Sequence, residues 1–561
     1  MSADGAHYME LAQRAWRHGP AAGMDWYSGP GYPVAVAWLY GLFGDLEFSG
    51  RLTSVLFGCG FVAGVGLLAR QMFGPVVAGV AVGLVAVHTS LVRHSVMAET
   101  DVAYGCWLVW SLVCVWRLRH SSGLVGQSVH AIAAGLALGL GYLTRPEAAA
   151  LAGLLVGWYV FGKVRMATAG RGQGARVAGR LGWACVVGVI GLTVAAPYVL
   201  KLRNDLGRWS LSGKERCFAM KYAADRQDDA AIRNQSVLAA VFDRPSNLVR
   251  WLPHHLHYGV PVFGKSLHVV VVGLAAIGLV LLHIERGSNS FNPQPQARHG
   301  WRLLGLAYGC GLNDRSRFQT LFNVAPYVAR RRVVDRSPGA VGLLLWSSVP
   351  FLLFFGLTYP RLRYFMQALG PWVVLAAVAV VELAAWASEL RVGLAVRWRS
   401  ATPDAAGRRA LAIALAAPMF ILAASTFWSL RRPLEQGLAT ERAVGERILQ
   451  LAGPGRRVLT FTVPAFYAEA ERVPLWGPME GIVRCHGFSK PLTYEELVDH
   501  VRRRHAEYII MDHDLQRDCP DFLARVRDED FQLVIADVAD DHGPHLVYQF
   551  VGARLEAARA N

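Results

Sequence analysis

The residues best suited to chemistry are a few acids and arginines at the edges of apolar blocks. Asp4 opens the run Asp4-Gly5-Ala6-His7-Tyr8. Glu99 and Asp101 lie in His94-Ser95-Val96-Met97-Ala98-Glu99-Thr100-Asp101. Arg145-Pro146-Glu147 and Arg361-Leu362-Arg363-Tyr364 sit at two further block ends. A carboxylate just outside hydrocarbon suits a general base acting on an acceptor hydroxyl. A second acid could hold a metal, or orient acceptor or base. Arginine's planar fork suits a phosphate. Each has a plainer reading beside it: acids cap helix N-termini and meet the helix dipole, and arginines reach from apolar surroundings to the interface. Two separate acidic sites on one membrane face carry more weight than either alone, because charge near hydrocarbon is costly.

The elements that must position these residues are membrane helices. The chain has 561 residues, 53% hydrophobic and 17% charged, with a mean hydropathy of +0.29. The apolar residues come in long blocks rather than in the mixed texture of soluble domains. About ten blocks have near-spanning length: 51–73, 75–93, 101–117, 129–144, 147–162, 181–200, 267–283, 341–359, 365–388 and 410–429. The pair 129–144 and 147–162, split at Arg145-Pro146, reads as a hairpin or one kinked helix. Gly29-Pro30-Gly31-Tyr32-Pro33 introduces a run, 34–43, too short to span and expected at the interface or re-entrant.

Loop charges set an expected orientation. The loops 163–180 and 391–409 and the connection 284–340, which contains Arg330-Arg331-Arg332, are rich in Lys and Arg. They fall on one side, expected to be cytoplasmic. The acidic loops, the Arg145 turn, 360–364 and 431–561 then share the other side. The basic loop 201–266 pulls against this, but loops of that length determine topology weakly. Residues 1–50 are also placed outside without a signal peptide, which means either that the whole orientation is inverted or that a first membrane helix lies upstream of Met1; the second is the favoured expectation. Segment 431–561 has short apolar runs between charged helical stretches and reads as a small α/β domain. The expected division is therefore 1–430 in the membrane and 431–561 soluble and extracytoplasmic.

The net charge is +16, but the arginines lie between apolar blocks and no nucleic-acid motif accompanies them. Among the 8 Cys there is no CxxC pair, so a zinc ribbon is unsupported. Cys59, Cys106, Cys114 and Cys185 lie in apolar blocks as small hydrophobes. Cys485 and Cys519 form a candidate disulfide if the C-terminal region is extracytoplasmic. His254-His255-Leu256-His257 lacks companion ligands at metal spacing. No nucleotide-binding loop is present, so a transferase here needs a donor that is already activated and membrane-bound.

The ordered motifs resemble a known superfamily. Asp4 with Tyr8, the Gly31-Tyr32-Pro33 step, Arg51-Leu52, Leu68-Ala69-Arg70-Gln71-Met72-Phe73-Gly74, the loop with Glu99 and Asp101, Gly141-Tyr142-Leu143-Thr144-Arg145-Pro146-Glu147 and Arg363-Tyr364-Phe365 follow one another as in bacterial GT-C membrane glycosyltransferases. The superfamily is that of dolichyl-phosphate-mannose protein mannosyltransferases and aminoarabinose transferases. The resemblance is best over 4–160, recurs at 356–390 and is thin across 200–340. It implies an α-helical polytopic membrane fold with a C-terminal extracytoplasmic α/β domain, in the inner (plasma) membrane. It also implies an inverting sugar transfer from a polyprenyl-phosphate donor to a hydroxyl on a lipid, glycan or protein. Asp4 matches the proposed catalytic base. Glu99 or Asp101 matches the supporting acid, and Arg361, Arg363 and Tyr364 match a late motif suited to lipid phosphate, with Arg145 a further candidate for the departing phosphate. A divalent cation is left open. The chain departs from the family where Gly5 follows Asp4 and in its missing first helix.

Two other readings compete. A transporter or flippase should show paired half-repeats and broken mid-membrane helices, and neither is legible. A non-catalytic scaffold would not require Asp4 and Glu99 to approach. The enzyme reading expects Asp4, one of Glu99 and Asp101, and Arg363 around one cavity at the outer face.

Overall fold

The computed structural model describes residues 3–161, 173–214, 253, 257, 261–289, 339–348, 366–398, 403–431, 438–460, 462–475, 477–479, 482–484, 491–540 and 543–551. Arg361, Arg363, Tyr364, His254, His255 and Cys485 lie outside them.

The first part of the chain is helical: α1 (Ala3–His18), α2 (Gly31–Phe43), α3 (Leu46–Phe73), α4 (Pro75–Ala86), α5 (Thr89–Ser95), α6 (Thr100–His120), α7 (Leu124–Thr144), α8 (Ala148–Phe161) and α9 (Gln173–Leu206). Local chemistry sets the boundaries. The Asp45 carboxylate accepts from the Phe48 N–H at 2.9 Å and starts α3. Gly74, at φ +94°, ends it, and Pro75 occupies the first turn of α4, where its missing N–H costs nothing.

Among the described residues five helices are long and apolar enough to cross a membrane, or seven if each of two bent pairs is one span. The protein is a multi-pass membrane protein in which α3 packs on α4 and α6, α6 on α7, and α7 on α9. The expected span 147–162 is the 14-residue α8, apolar but shorter than a spanning helix. The expected span at 341–359 runs beyond the described helix Gly339–Ser348. The run 34–43 is α2, which buries Val36 and Ala37 and exposes Trp38 and Leu42.

The expectation of unbroken helices fails at two places. Pro75–Ala86 and Thr89–Ser95 bend by 61°, and Pro261–Leu267 and Val269–Leu281 by 93°. The second break falls at His268, which sits at φ +61°. The breaks meet and satisfy each other's backbone. A His88 ring nitrogen lies 2.9 Å from the Leu267 carbonyl, and the Ser90 hydroxyl donates to the Ser266 carbonyl at 2.6 Å. The Thr426 hydroxyl donates to the Val87 carbonyl at 2.6 Å. Irregular backbone at membrane depth persists only where protein satisfies it in this way.

The C-terminal part is α/β. Five strands run in the order β2 (Glu471–Val473), β1 (Arg457–Leu459), β5 (Tyr508–Met511), β7 (Gly543–Phe550), β6 (Phe531–Asp540), and β3 (Gly477–Met479) pairs with β4 (Ile482–Arg484) in a separate antiparallel ribbon. The β2/β1/β5 pairs are parallel; β5/β7 and β7/β6 are antiparallel. Alternation in β5 fills both faces: Tyr508 and Ile510 pack with Val444 and Ile448, whereas Ile509 and Met511 pack with Leu497 and Phe522. Helix Tyr494–Arg503 starts with a capping box between Thr493 and Glu496. Cys519 is a buried thiol, and its candidate disulfide partner Cys485 lies outside the described residues. Cys106 is buried as expected, but Cys59 and Cys185 lie on the outer surface of the helices.

Candidate active site

Asp4 lies in the first turn of α1. One turn on, the Tyr8 hydroxyl lies 3.3 Å from that of Thr100, at the start of α6. Thr100 stands between the two acids of the second motif. Glu99 is the N-cap of α6 and lies 3.0 Å from the His94 ring rather than capping the helix with its side chain. Asp101 is in the first turn and accepts from Arg145 Nη1 at 2.6 Å; both side chains are almost wholly buried. The structure thus brings Asp4, Asp101 and Arg145 to one end of the helix bundle through Tyr8 and Thr100. Asp101 engages the arginine.

The Gly-Pro-Gly step explains how Arg145 is held. Gly29 packs on the end of α7, and a Cβ there would lie 2.1 Å from the Leu143 carbonyl oxygen. Only glycine permits this approach. Tyr32, at the start of α2, then donates to the Gly50 carbonyl at 2.8 Å and lies 2.8 Å from the Ser54 hydroxyl, fixing α2 on α3.

Two residues of the site, Lys214 and Tyr198, were not singled out from the sequence. Lys214 follows α9, with its Nζ 4.8 Å from the centre of the Tyr27 ring. Its segment is tied down on both sides. The Tyr142 hydroxyl donates to the Leu211 carbonyl at 2.7 Å. Gly213 lies so close to Trp26 that a Cβ would stand 1.8 Å from the Trp26 carbonyl oxygen. Glu147, two residues after Arg145, has a buried carboxylate oxygen, Oε2, without a hydrogen-bond partner among the described residues. Burial would push its pKa up, but Lys214 and then Arg145 outweigh this and hold the carboxyl below its usual range. Burial would likewise lower Lys214, whereas Glu147 and the tyrosines Tyr27 and Tyr8 hold the ammonium above its usual value. Burial, with Asp4 adding to it, pushes Tyr8 up to about 12, so its hydroxyl stays protonated. Tyr198, fully buried on α9, has a hydroxyl without a hydrogen-bond partner among the described residues.

The site therefore sets carboxylates on α1 and at the α7–α8 turn beside a buried arginine and a lysine. Such an arrangement can take a proton at a carboxylate and hold an anion at the cations. No three of His, Cys, Asp and Glu gather as a metal-ligand set among the described residues.

The family model for dolichyl-phosphate-mannose-protein mannosyltransferase matches residues 28–199. That stretch runs from the Gly-Pro-Gly step through the α6 acids and Arg145 into α9. Among solved structures, the chain is similar to ArnT from Cupriavidus metallidurans bound to undecaprenyl phosphate. The two are 13% identical, with a TM-score of 0.51 over 98% of this chain and 94% of that one. The apo state of the same protein matches at 12% identity and a TM-score of 0.51, with the same coverage. The chain has the GT-C fold. An Archaeoglobus fulgidus oligosaccharyltransferase in complex with Zn and sulfate is similar at 14% identity and a TM-score of 0.50, over 93% of this chain and 65% of that one. No curated protein matches the chain. The acid-bearing head of α6 and the α7–α8 turn both fall inside the matched stretch.

Proposed function

We propose that this GT-C chain transfers a sugar from a polyprenyl-phosphate donor to a hydroxyl acceptor at the outer face of the cytoplasmic membrane, with inversion at the anomeric carbon. The observation that carries the reading is the convergence of Asp4, Tyr8, Thr100, Asp101, Arg145 and Lys214 at one end of the helix bundle. The family match and the fold support it.

Asp4 takes the proton of the acceptor hydroxyl as its oxygen attacks the anomeric carbon. The bond from that carbon to the phosphate oxygen breaks, and the phosphate leaves with the electron pair. Lys214 and Arg145 supply positive charge where negative charge develops. Asp101 already engages one arm of Arg145, which makes Lys214 the more available cation. Arg361, Arg363 and Tyr364 remain proposed donor-phosphate ligands. Asp101 acts by fixing Arg145, and Glu99 by fixing the turn before α6 through His94. The acceptor is a lipid, a glycan or a protein. The catalytic loops and C-terminal domain 431–561 are extracytoplasmic, and residues 1–430 form the membrane domain; the basic loops 163–180 and 391–409 support that orientation.

The bent helix pairs favour a second reading as a lipid or sugar transporter. Against it, the carbonyls of Val87, Ser266 and Leu267 at the breaks meet side chains of neighbouring helices rather than an open pathway. The test is transfer by the reconstituted full chain from a panel of polyprenyl-phosphate sugars, with glycan analysis of a deletion strain to find the acceptor. The proposal expects transfer from one donor and loss of one glycan. Movement of intact lipid-linked sugar across the vesicle membrane without transfer would overturn it.

A further inference from the structure

His7 sits one turn beyond Asp4 on α1 and belongs to a chain of charges that leaves the membrane part altogether. Its Nε2 lies 3.1 Å from Asp25 Oδ2, and its Nδ1 lies 3.9 Å from Glu10 Oε2. Glu10 accepts from Arg472 Nε at 3.1 Å and pairs with Arg14 Nη2 at 3.2 Å. Arg472 belongs to β2, an edge strand of the C-terminal sheet. The same contact has an apolar half. Helix Thr462–Tyr467 packs on α1, and Val463 shares a buried cluster with Ala6, Met9 and Ala12, with Phe466 and Tyr467 against it. The Tyr467 hydroxyl donates to Glu47 Oε2 at 3.4 Å.

We propose that the ladder Asp25–His7–Glu10–Arg472 makes the C-terminal α/β unit a positioning part of the Asp4 site. Protonated His7 and Arg472 hold α1 between the bundle and the sheet, and loss of either charge loosens α1 and misplaces Asp4. The catalytic consequence rests on the reading of Asp4 as base; the ladder itself does not.

His7 is the member of the ladder whose ordinary titration lies nearest neutrality. The charged groups facing it are Glu10 on its own helix, Asp25 from the segment before α2, and Arg472 from β2, with Arg14 acting on Glu10. The Tyr8 ring, 6.1 Å away, is the aromatic neighbour. Burial pushes the imidazole pKa down, but the hydrogen bond to Asp25 and the contact with Glu10 outweigh it, and the pKa lies above its ordinary 6.5. A group with a raised folded pKa contributes fully below its unfolded value and loses that contribution as pH rises through the folded one. Deprotonation leaves Asp25 and Glu10 facing a neutral ring, so the ladder weakens on the alkaline side.

The test uses the full chain in lipid nanodiscs, with amide hydrogen exchange read over residues 3–18 and corrected for intrinsic exchange at each pH. Wild type should lose protection over residues 3–18 as His7 deprotonates, because Asp25 and Glu10 then face a neutral ring. His7→Arg, whose charge does not titrate, should hold its protection into the alkaline range. Arg472→Gln should lower protection at every pH, and Arg472→Lys should recover part of it. With a donor that supports transfer, His7→Gln should reduce turnover and leave the half-saturating donor concentration unchanged. Protection independent of pH in wild type, or wild-type protection in Arg472→Gln, would overturn the ladder. Wild-type transfer by Asp4→Asn would overturn the base assignment alone.

Discussion

Replacing Asp101 by Ala removes a buried partner of Arg145. The Arg145–Asp101 pair is 2.6 Å long, and its side chains are only 4% and 2% exposed. Removing one partner of such a pair costs about 3–5 kcal/mol, because the survivor stays desolvated and has lost that counter-charge. Asp101 also lies in the first turn of α6, where a carboxylate meets the helix dipole for about 0.3–1 kcal/mol. The sum corresponds to roughly two to four decades in the folding equilibrium. The assay is reversible unfolding of the purified chain from mild detergent into denaturing detergent, followed by tryptophan fluorescence. Asp101→Ala should unfold far earlier than wild type. The double variant Asp101→Leu with Arg145→Met should recover most of that loss, since an apolar pair of similar volume removes the buried charge. A single variant within about 1 kcal/mol of wild type, the level of an exposed pair, would refute the burial and geometry assigned here.

Other outcomes follow from the same contacts. Gly29→Ala places a methyl 2.1 Å from the Leu143 carbonyl oxygen, so the end of α7 must move; stability and sugar transfer should both fall, and a variant active at wild-type level would contradict the packing. His88→Ala leaves the Leu267 carbonyl without its side-chain partner and should cost about 1–3 kcal/mol in the same unfolding assay. The Glu10 carboxyl experiences burial that raises its pKa, yet His7 and Arg472 pull it down to about 2. Its contribution is therefore present above about pH 4.5 and lost as pH falls toward 2. In Glu10→Gln, the contact between α1 and the C-terminal sheet should be weaker at neutral pH and should lose that acid dependence, as read by exchange in β2.

Much of this was legible because membrane burial makes charge conspicuous. Asp4, Glu99, Asp101 and Arg145 stood out at block ends, and two of them, Asp101 and Arg145, form a pair. Sequence could not say which acid faces Arg145; that depends on the phase of α6, which turns Asp101 to Arg145 and sets Glu99 beside His94. Lys214 escaped notice because it lies in a long basic loop, where one lysine looks like the rest, and only the close packing of Gly213 on Trp26 marks it. The Glu10–Arg472 pair spans 462 positions and carries no local signal. The bends were hidden for a related reason. His268 takes a left-handed backbone without glycine, and the side chains that satisfy the breaks come from distant helices. The small C-terminal sheet was visible in its short apolar runs, whereas the burial of Cys519 in its core was not.

The most direct test of the central claim is single-turnover transfer by Asp4→Asn, reconstituted with the polyprenyl-phosphate sugar that wild type uses. The substitution keeps the shape of the side chain and removes its ability to take a proton. The account predicts loss of transfer, with the rate falling at least 10²–10⁴-fold, about the range of general-base catalysis, while unfolding stays like that of wild type. Transfer at the wild-type rate by the folded variant would contradict it.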